Sequence, residues 1–195
     1  MKKPNLINSK ESRLHVSFGK ANTSDIDAIM EIEEESFLPG VVESRDVFLE
    51  RIITFPDGFI LMNTKENLKP IGYICSEIWM IDEDIKTDLF TLGHSIKSIH
   101  NNAGNMLYIS SMGVIKEYRG YGLGHKMFKF LTSNICMHYP SIDTQILIVG
   151  DQWSTAKHIY EMEGFQTLFI LDGFFKPNEI GAFKGIVMKK ETIKE

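Results

Sequence analysis

Three glycines within five residues, Gly120, Gly122 and Gly124, stand between the apolar run MLYISSMGV and an amphipathic stretch from about Gly122 to Met137. Glycine takes positive φ without a Cβ penalty, so RGYGLG reads as a tight strand-to-helix turn. The first N–H groups of such a helix lack intrahelical acceptors and sit at the positive end of its macrodipole. The turn is therefore a seat for an anion. Leu123, Met127, Phe128, Phe130, Leu131 and Ile135 continue a helical apolar stripe behind it. TQILIVG then runs almost unbroken in apolar residues, the pattern of a strand covered on both faces. Met106 to Val149 is thus a strand–helix–strand passage with a local parallel pair.

The rest of the chain fits around that passage. Residues 1 to about 12 read as a loose tail. Alternation from Leu14 to Phe18 predicts a strand. Thr23 or Ser24 caps a helix with Ile26, Ile29, Met30 and Ile32 on one face. Glu33, Glu34 and Glu35 then read as a solvated face, with attraction of a polyamine as the alternative. A second helix covers Glu43 to Thr54. After the turn PDG, Phe59 to Ile81 forms an antiparallel hairpin whose two strands are joined by KENLKP. Asp82 to Asn105 reads as an excursion at the domain edge, with a short helix around Phe90 to Ile99. STAKHIYEMEGF gives a helix closed by Gly164, and FQTLFIL and FKGIVMKK are two final strands. At 195 residues the chain supports one sizeable core, a single mixed α/β domain.

The anion that the turn holds is narrowed by spacing. A phosphate loop of the GxxxxGK[ST] kind fails at GLGHK. A dinucleotide fingerprint needs GxGxxG, whereas this chain has GxGxG, with Asp151 as the acid after the next strand. The formal charge of −5, from 21 Lys and Arg against 26 Asp and Glu, argues against a nucleic-acid partner. Cys75 and Cys136 lack CxxC spacing and read as reduced thiols, and the six His form no metal-ligand pair. The start MKKPNLINSKESR has no apolar core behind its lysines, and no apolar run approaches the ~20 residues of a membrane span. A cytoplasmic protein, monomeric or homodimeric, without metal or membrane association is expected.

A third pattern, [Q/R]xxGx[G/A] after a strand, is met by Arg119, Gly122 and Gly124. VIKEYRGYGLG resembles the GNAT superfamily of acyl-CoA-dependent N-acyltransferases along its whole length. STAKHIYEMEGF resembles that family's second cofactor motif, with Ala156, Tyr160, Gly164 and Phe165 matching AxxxYxxxGF. The resemblance spans about residues 13 to 190. It implies one domain over 13–195 with a central mixed, mostly antiparallel sheet of about seven strands. That sheet would be splayed between strands 4 and 5 and flanked by about four helices. The implied cofactor is acetyl-CoA. Met112 and Val114 would pair with its pantetheine arm. The amides of Arg119, Gly120, Tyr121, Gly122, Leu123 and Gly124, with His125 beside them, would hold its pyrophosphate. Met112 or Gly113 N–H would be the oxyanion donor.

Acetyl transfer to an amine needs loss of a proton from an ammonium of pKa near ~10.4 and a donor for the leaving thiolate. The resemblance gives the second role to Tyr160, whose phenol is protonated at neutral pH. Glu77, the one acid inside the apolar strand YICSEIW, is the candidate base. Alternation puts it on the face of Tyr73, Cys75 and Trp79, an outward-facing acid being the alternative. EIEEESF and IWMIDED are similar to the aralkylamine branch of the family, whose two histidines before the cofactor loop are replaced here by Tyr108 and Ser110. A water chain ending at Glu77, Tyr108 or Ser110 is the remaining relay. Trp153 stands where relatives often carry a cofactor-contacting Asn. Phe37 and Trp79 are expected to wall an aromatic or aliphatic amine. The expected substrate is the primary amine of a small molecule. A protein N-terminus or lysine, and a non-catalytic acyl-CoA-binding module, are the alternatives.

Overall fold

The computed structural model describes residues 14–66, 68–82 and 84–192. The tail expected over 1–12 lies outside the described residues. Among the described residues seven strands form one sheet: β1 (Val16–Lys20), β2 (Phe59–Thr64), β3 (Pro70–Trp79), β4 (Met106–Val114), β5 (Thr144–Gly150), β6 (Gln166–Phe175) and β7 (Phe183–Glu191), in the order β1-β2-β3-β4-β5-β7-β6. Only β4 and β5 pair in parallel, and they do so from Met106 opposite Thr144 to Ile109 opposite Leu147. Beyond Ile109 the two strands diverge, which opens the sheet in its middle.

Four α-helices among the described residues accompany the sheet: α1 (Ile26–Ser36), α2 (Arg45–Thr54), α3 (Leu123–His138) and α4 (Ser154–Met162). The cap before α1 is Asn22, one residue earlier than expected. Its side chain accepts from Ser24 N–H while Asp25 accepts from Asn22 N–H, a capping box that opens on a short 3₁₀ turn. α3 buries Leu123, Met127, Phe128, Leu131 and Ile135, the stripe its spacing predicts.

The two sheet faces are set by a bulge. Cys75 lies opposite Ser111 and Ser76 opposite Ile109, so Ser110 is an extra residue in β4. The bulge reverses the parity of everything after it. Tyr73, Cys75, Glu77 and Trp79 of β3 therefore share a face with Met106, Tyr108, Ser111 and Gly113 of β4. A Cβ built on Gly113 would meet Ile32 and Ser36, so α1 covers this face. Met112 and Val114 point the other way, toward Gly124 of α3.

The segment after β3 departs from its expected form. No α-helix spans 90–99. Two 3₁₀ turns, Thr87–Leu89 and Ile96–Ser98, flank Gly93, whose φ of +68° breaks any helix. Nor is the segment a loose edge. Phe90 packs on Trp79 and Tyr108, and Gly93 N–H donates to Glu43 Oε1 at 2.8 Å. The chain is drawn down onto the sheet by contacts that its own periodicity does not encode.

Candidate active site

The divergence of β4 and β5 leaves a cleft of about 740 Å³. One wall is β4 from Tyr108 to Val114, which keeps β3 on one side and has no strand on the other beyond Ile109. Leu147 to Val149 and Ala156, Ile159 and Tyr160 form the opposite wall. The glycine turn closes one end. Gly120 and Gly122 have φ of +84° and +70°, and a Cβ at either would meet nothing within 4 Å. Backbone conformation, not crowding, demands glycine there. Gly122 is the N-cap of α3 without any capping side chain, and no acid occupies the first turn. The first helical bond is Lys126 N–H to Gly122 O at 3.1 Å. The N–H groups of Leu123, Gly124 and His125 thus stand uncapped on the cleft wall.

The Arg119 side chain braces this turn from behind. Its Nε donates to Val114 O at 2.7 Å, and its Nη2 reaches Glu35 O at 3.3 Å and Ser36 Oγ at 3.4 Å. Lys116 N–H donates to the Glu35 carboxylate. The guanidinium is a strut that fixes the end of β4 to the C-terminus of α1. Tyr121 is about half exposed and lies off the cleft, whereas His125 lines it and pairs with Glu163.

The other end is lined by Glu33, Phe37, Glu43, Leu92, Tyr108, Ser110 and Ser111. Tyr160 lies across from them. Its ring packs on Phe128 and Phe165, and its hydroxyl makes no hydrogen bond among the described residues. Burial raises the phenol above its usual range, so it stays protonated. Trp79 does not reach the cleft: it is fully buried behind Tyr108, stacked at 4.2 Å, and Tyr108 is the ring that faces the space.

Glu77 is also off the cleft. It is on the face that alternation predicts, but it is fully buried among donors. His94 Nε2 lies 2.8 and 3.0 Å from its two oxygens, Trp79 Nε1 donates at 3.1 Å, and Arg51 Nε stands 3.7 Å away. Arg51 in turn grips Glu43, with Nη2 to Oε1 at 2.8 Å. His94 Nδ1 faces Thr91 O at 2.8 Å. Burial disfavours charge on this ring, but the Glu77 hydrogen bond and charge outweigh it, so its pKa is raised. With oxygens at both nitrogens, the ring is held as an imidazolium that donates twice. Glu77 is thus engaged in a buried ionic network and presents no free oxygen to a substrate.

Ser110 touches the cleft, yet the bulge turns its hydroxyl onto Cys75, donating to the carbonyl at 3.2 Å. Its neighbour Ser111 lies 2.8 Å from Tyr73 Oη. Tyr73 donates to Glu33, whose other oxygen accepts Glu43 N–H at 2.9 Å. Glu33 is 1% exposed, against the solvated reading of the EIEEES run. The signal was present: Glu33 falls four residues after Ile29 and seven after Ile26, on the buried stripe of α1.

The sequence model of the acetyltransferase (GNAT) family matches residues 26–165. The chain belongs to this family. It is an acyltransferase with acetyl-CoA as co-substrate. Among solved structures its fold is similar to the loading GNATL domain of CurA from Lyngbya majuscula, with TM-score 0.74 and 11% identity over 91% of this chain and 98% of that one. It is also similar to NAA60 of Arabidopsis thaliana in complex with a bisubstrate analogue, with TM-score 0.71 and 18% identity over 91% and 98%. The ribosomal-protein-S18-alanine N-acetyltransferase from Escherichia coli gives TM-score 0.66 and 15% identity over 93% and 96%. At such identities the likeness is one of fold. Comparison with curated proteins returns no match.

The GNAT cleft as built here suits a thioester with a pyrophosphate tail. Its uncapped amides are free donors on the cleft wall, and its unpartnered β4 edge exposes backbone groups apart from the Val114 carbonyl that Arg119 occupies. Trp153 does not replace the usual Asn contact in kind. Its indole packs on Phe37, Phe175 and Phe183 at 5.3, 4.6 and 5.6 Å, making an aromatic wall. Among the described residues no cluster of His, Cys, Asp or Glu could hold a metal, and no helix is long and apolar enough to cross a membrane.

Proposed function

We propose that this GNAT-family chain transfers the acetyl group of acetyl-CoA to the primary amine of a small molecule, by direct attack in a ternary complex. The observation that carries the reading is the shape of the cleft: an uncapped helix N-terminus at one end, a carboxylate and two aromatic rings at the other, and splayed strands between. Met112 and Val114 line the track for the pantetheine arm, and the amides of 120–125 hold the pyrophosphate, since Arg119 N–H is donated to Lys116 O at 3.1 Å. Met112 N–H, on the splayed edge of β4, meets the oxyanion, whereas Gly113 N–H faces β3 opposite Tyr73. Tyr160, kept neutral by burial, donates a proton to the departing thiolate. Phe37 and Tyr108 offer faces to the amine's aromatic or aliphatic body, in keeping with the resemblance to the aralkylamine branch. Glu77 enters as a positioning residue, holding Trp79 and His94 behind Tyr108.

A small acceptor is favoured by how the mouth is tied. Asn178 N–H donates to Pro39 O at 2.8 Å, joining the α1–α2 loop to the β6–β7 loop. A Cβ at Gly40 would collide with Asn178 Oδ1 at 2.6 Å and Lys176 O at 2.7 Å. The Phe37–Trp153–Phe175–Phe183 cluster seals the same junction. A peptide running between these loops would have to part them.

Thiol release from acetyl-CoA across a panel of alkyl amines, arylalkyl amines, polyamines and N-terminal peptides tests the reading. Turnover with small primary amines is expected. Tyr160→Phe should lower kcat at least several-fold with acetyl-CoA affinity unchanged. Turnover confined to peptides, or binding of acetyl-CoA without turnover, would replace the proposal by a protein acetyltransferase or a binding module.

A further inference from the structure

We propose that Glu33, reached through Ser111 and Tyr73, is the proton acceptor for the incoming ammonium group, an inference that rests on the acetyl-transfer reading above. Glu33 lines the acceptor end of the cleft, yet it is almost fully buried and has no cation within ion-pair distance among the described residues. Arg51, the nearest guanidinium in the core, is spent on Glu43 and Glu77. Both contacts to Glu33 come from neutral donors, Tyr73 O–H and Glu43 N–H. A buried carboxylate so placed gains little from staying charged.

The hydroxyl chain has a direction. Tyr73 has one O–H, and it is donated to Glu33. Ser111, 2.8 Å from the same phenolic oxygen, must therefore donate to Tyr73. The order is Ser111 to Tyr73 to Glu33, and it ends on the only one of the three groups that can take a proton. A proton received at Ser111 reverses both bonds and leaves Glu33 neutral. Ser111 lies on β4 where the strand parts from β5, directly before Met112 and Gly113. The amine and the thioester carbon meet at that point.

The surrounding charges allow the exchange near neutral pH. Burial dominates and pushes the Glu33 carboxyl up to about 7. Tyr73 and the Glu43 N–H pull it down, the Glu43 carboxylate from the α1–α2 loop pushes it up, and Arg51 of α2 pulls it down. Cys75 of β3 is neutral, its thiol pushed up to about 12 by burial. In the step, Glu33 takes one proton from R–NH₃⁺. The amine nitrogen bonds to the thioester carbon, the C–S bond breaks, and the thiolate leaves protonated by Tyr160. The second proton shed by the nitrogen restores that phenol, and Glu33 returns its proton to solvent. An ammonium and a thioester become an amide, a thiol and one free proton.

Glu33→Gln in the full chain tests this, because the amide keeps an acceptor for Tyr73 but cannot take a proton. With an alkylammonium substrate, kcat/KM should fall by ~100-fold or more. The acidic limb of the wild-type pH profile, with its midpoint near 7, should vanish. With an amine already neutral at assay pH the loss should shrink to a few-fold, and acetyl-CoA affinity by calorimetry should stay within twofold. A retained limb, or equal loss with both amines, overturns the proposal. Carbon-13 NMR of glutamate-labelled protein gives a readout independent of turnover: a carboxyl titrating near 7 that Glu33→Gln removes. A Glu33 carboxyl that ionises in the ordinary carboxylate range overturns the relay even in an active enzyme. A wild type silent toward every amine overturns the acetyl-transfer reading instead, whatever the titration shows.

Discussion

The two ends of the cleft are built from opposite materials. The cofactor end is one continuous stretch, 106–125, in which a strand, two left-handed glycines and a helix N-terminus follow one another. Its chemistry is backbone N–H. The acceptor end draws Glu33 from α1, Glu43 and Arg51 from around α2, Tyr73 and Glu77 from β3, His94 from the segment after it, and Ser111 from β4. Its chemistry is side-chain charge held out of water. A backbone site is fixed by local conformation and depends little on distant packing. A buried ionic site exists only when the whole face has assembled, and losing any partner strands the rest.

The sharpest way to break this contrast is to cut the acceptor network. Arg51→Met removes the cation between Glu43 and Glu77, and leaving Glu43 buried without its counter-ion should cost about 3–5 kcal/mol, while Glu77 keeps His94. Thermal or urea unfolding would show it. The protein that remains folded should still bind coenzyme A normally. A smaller and opposite effect is expected at the cofactor end. Gly122→Val puts a β-branched residue at a φ of +70°, for about 1–2 kcal/mol of local strain. Calorimetry should give roughly tenfold weaker acetyl-CoA binding, with the amine KM unchanged. If Arg51→Met abolished cofactor binding, or Gly122→Val raised the amine KM, the two ends would not be separable.

The smallest effect depends on pH. His94 has a folded-state pKa above its ordinary value, so its bond to Glu77 contributes fully below about 6.5 and is lost as pH rises through the raised value. The melting-temperature gap between wild type and His94→Gln should therefore narrow from about pH 6 to about pH 9. A gap that widened toward alkaline pH would mean that the ring is bound neutral.

What the sequence reveals divides along the same line. The order of elements, the glycine turn, the helix stripe of α3 and the second motif around Tyr160 are all local patterns, and all could be read directly. The splay of β4 from β5 came with the family resemblance. The bulge at Ser110 was invisible, because one extra residue leaves no compositional mark, and it puts Ser111 rather than Ser110 on the face of Tyr73 and Cys75. Trp79 and Glu77 were placed on the correct face but at the wrong depth. Alternation fixes a face, whereas depth is decided by Phe90, Gly93 and His94 arriving from a segment without periodicity. The strut made by the Arg119 side chain is not legible locally, because its partners Glu35 and Ser36 lie more than eighty residues away. Glu33 was legible as a stripe position and was hidden by the glutamates around it.

The central claim is that coenzyme A lies in the β4–β5 wedge with its pyrophosphate on the uncapped start of α3. An amide-resolved NMR titration of the full chain with coenzyme A tests it most directly. The largest shifts are expected at the N–H groups of 120–125, with a second set at Met112 to Val114 and little change at Gly93 or His94. Saturable binding that shifts amides elsewhere and leaves Leu123, Gly124 and His125 unmoved would contradict it.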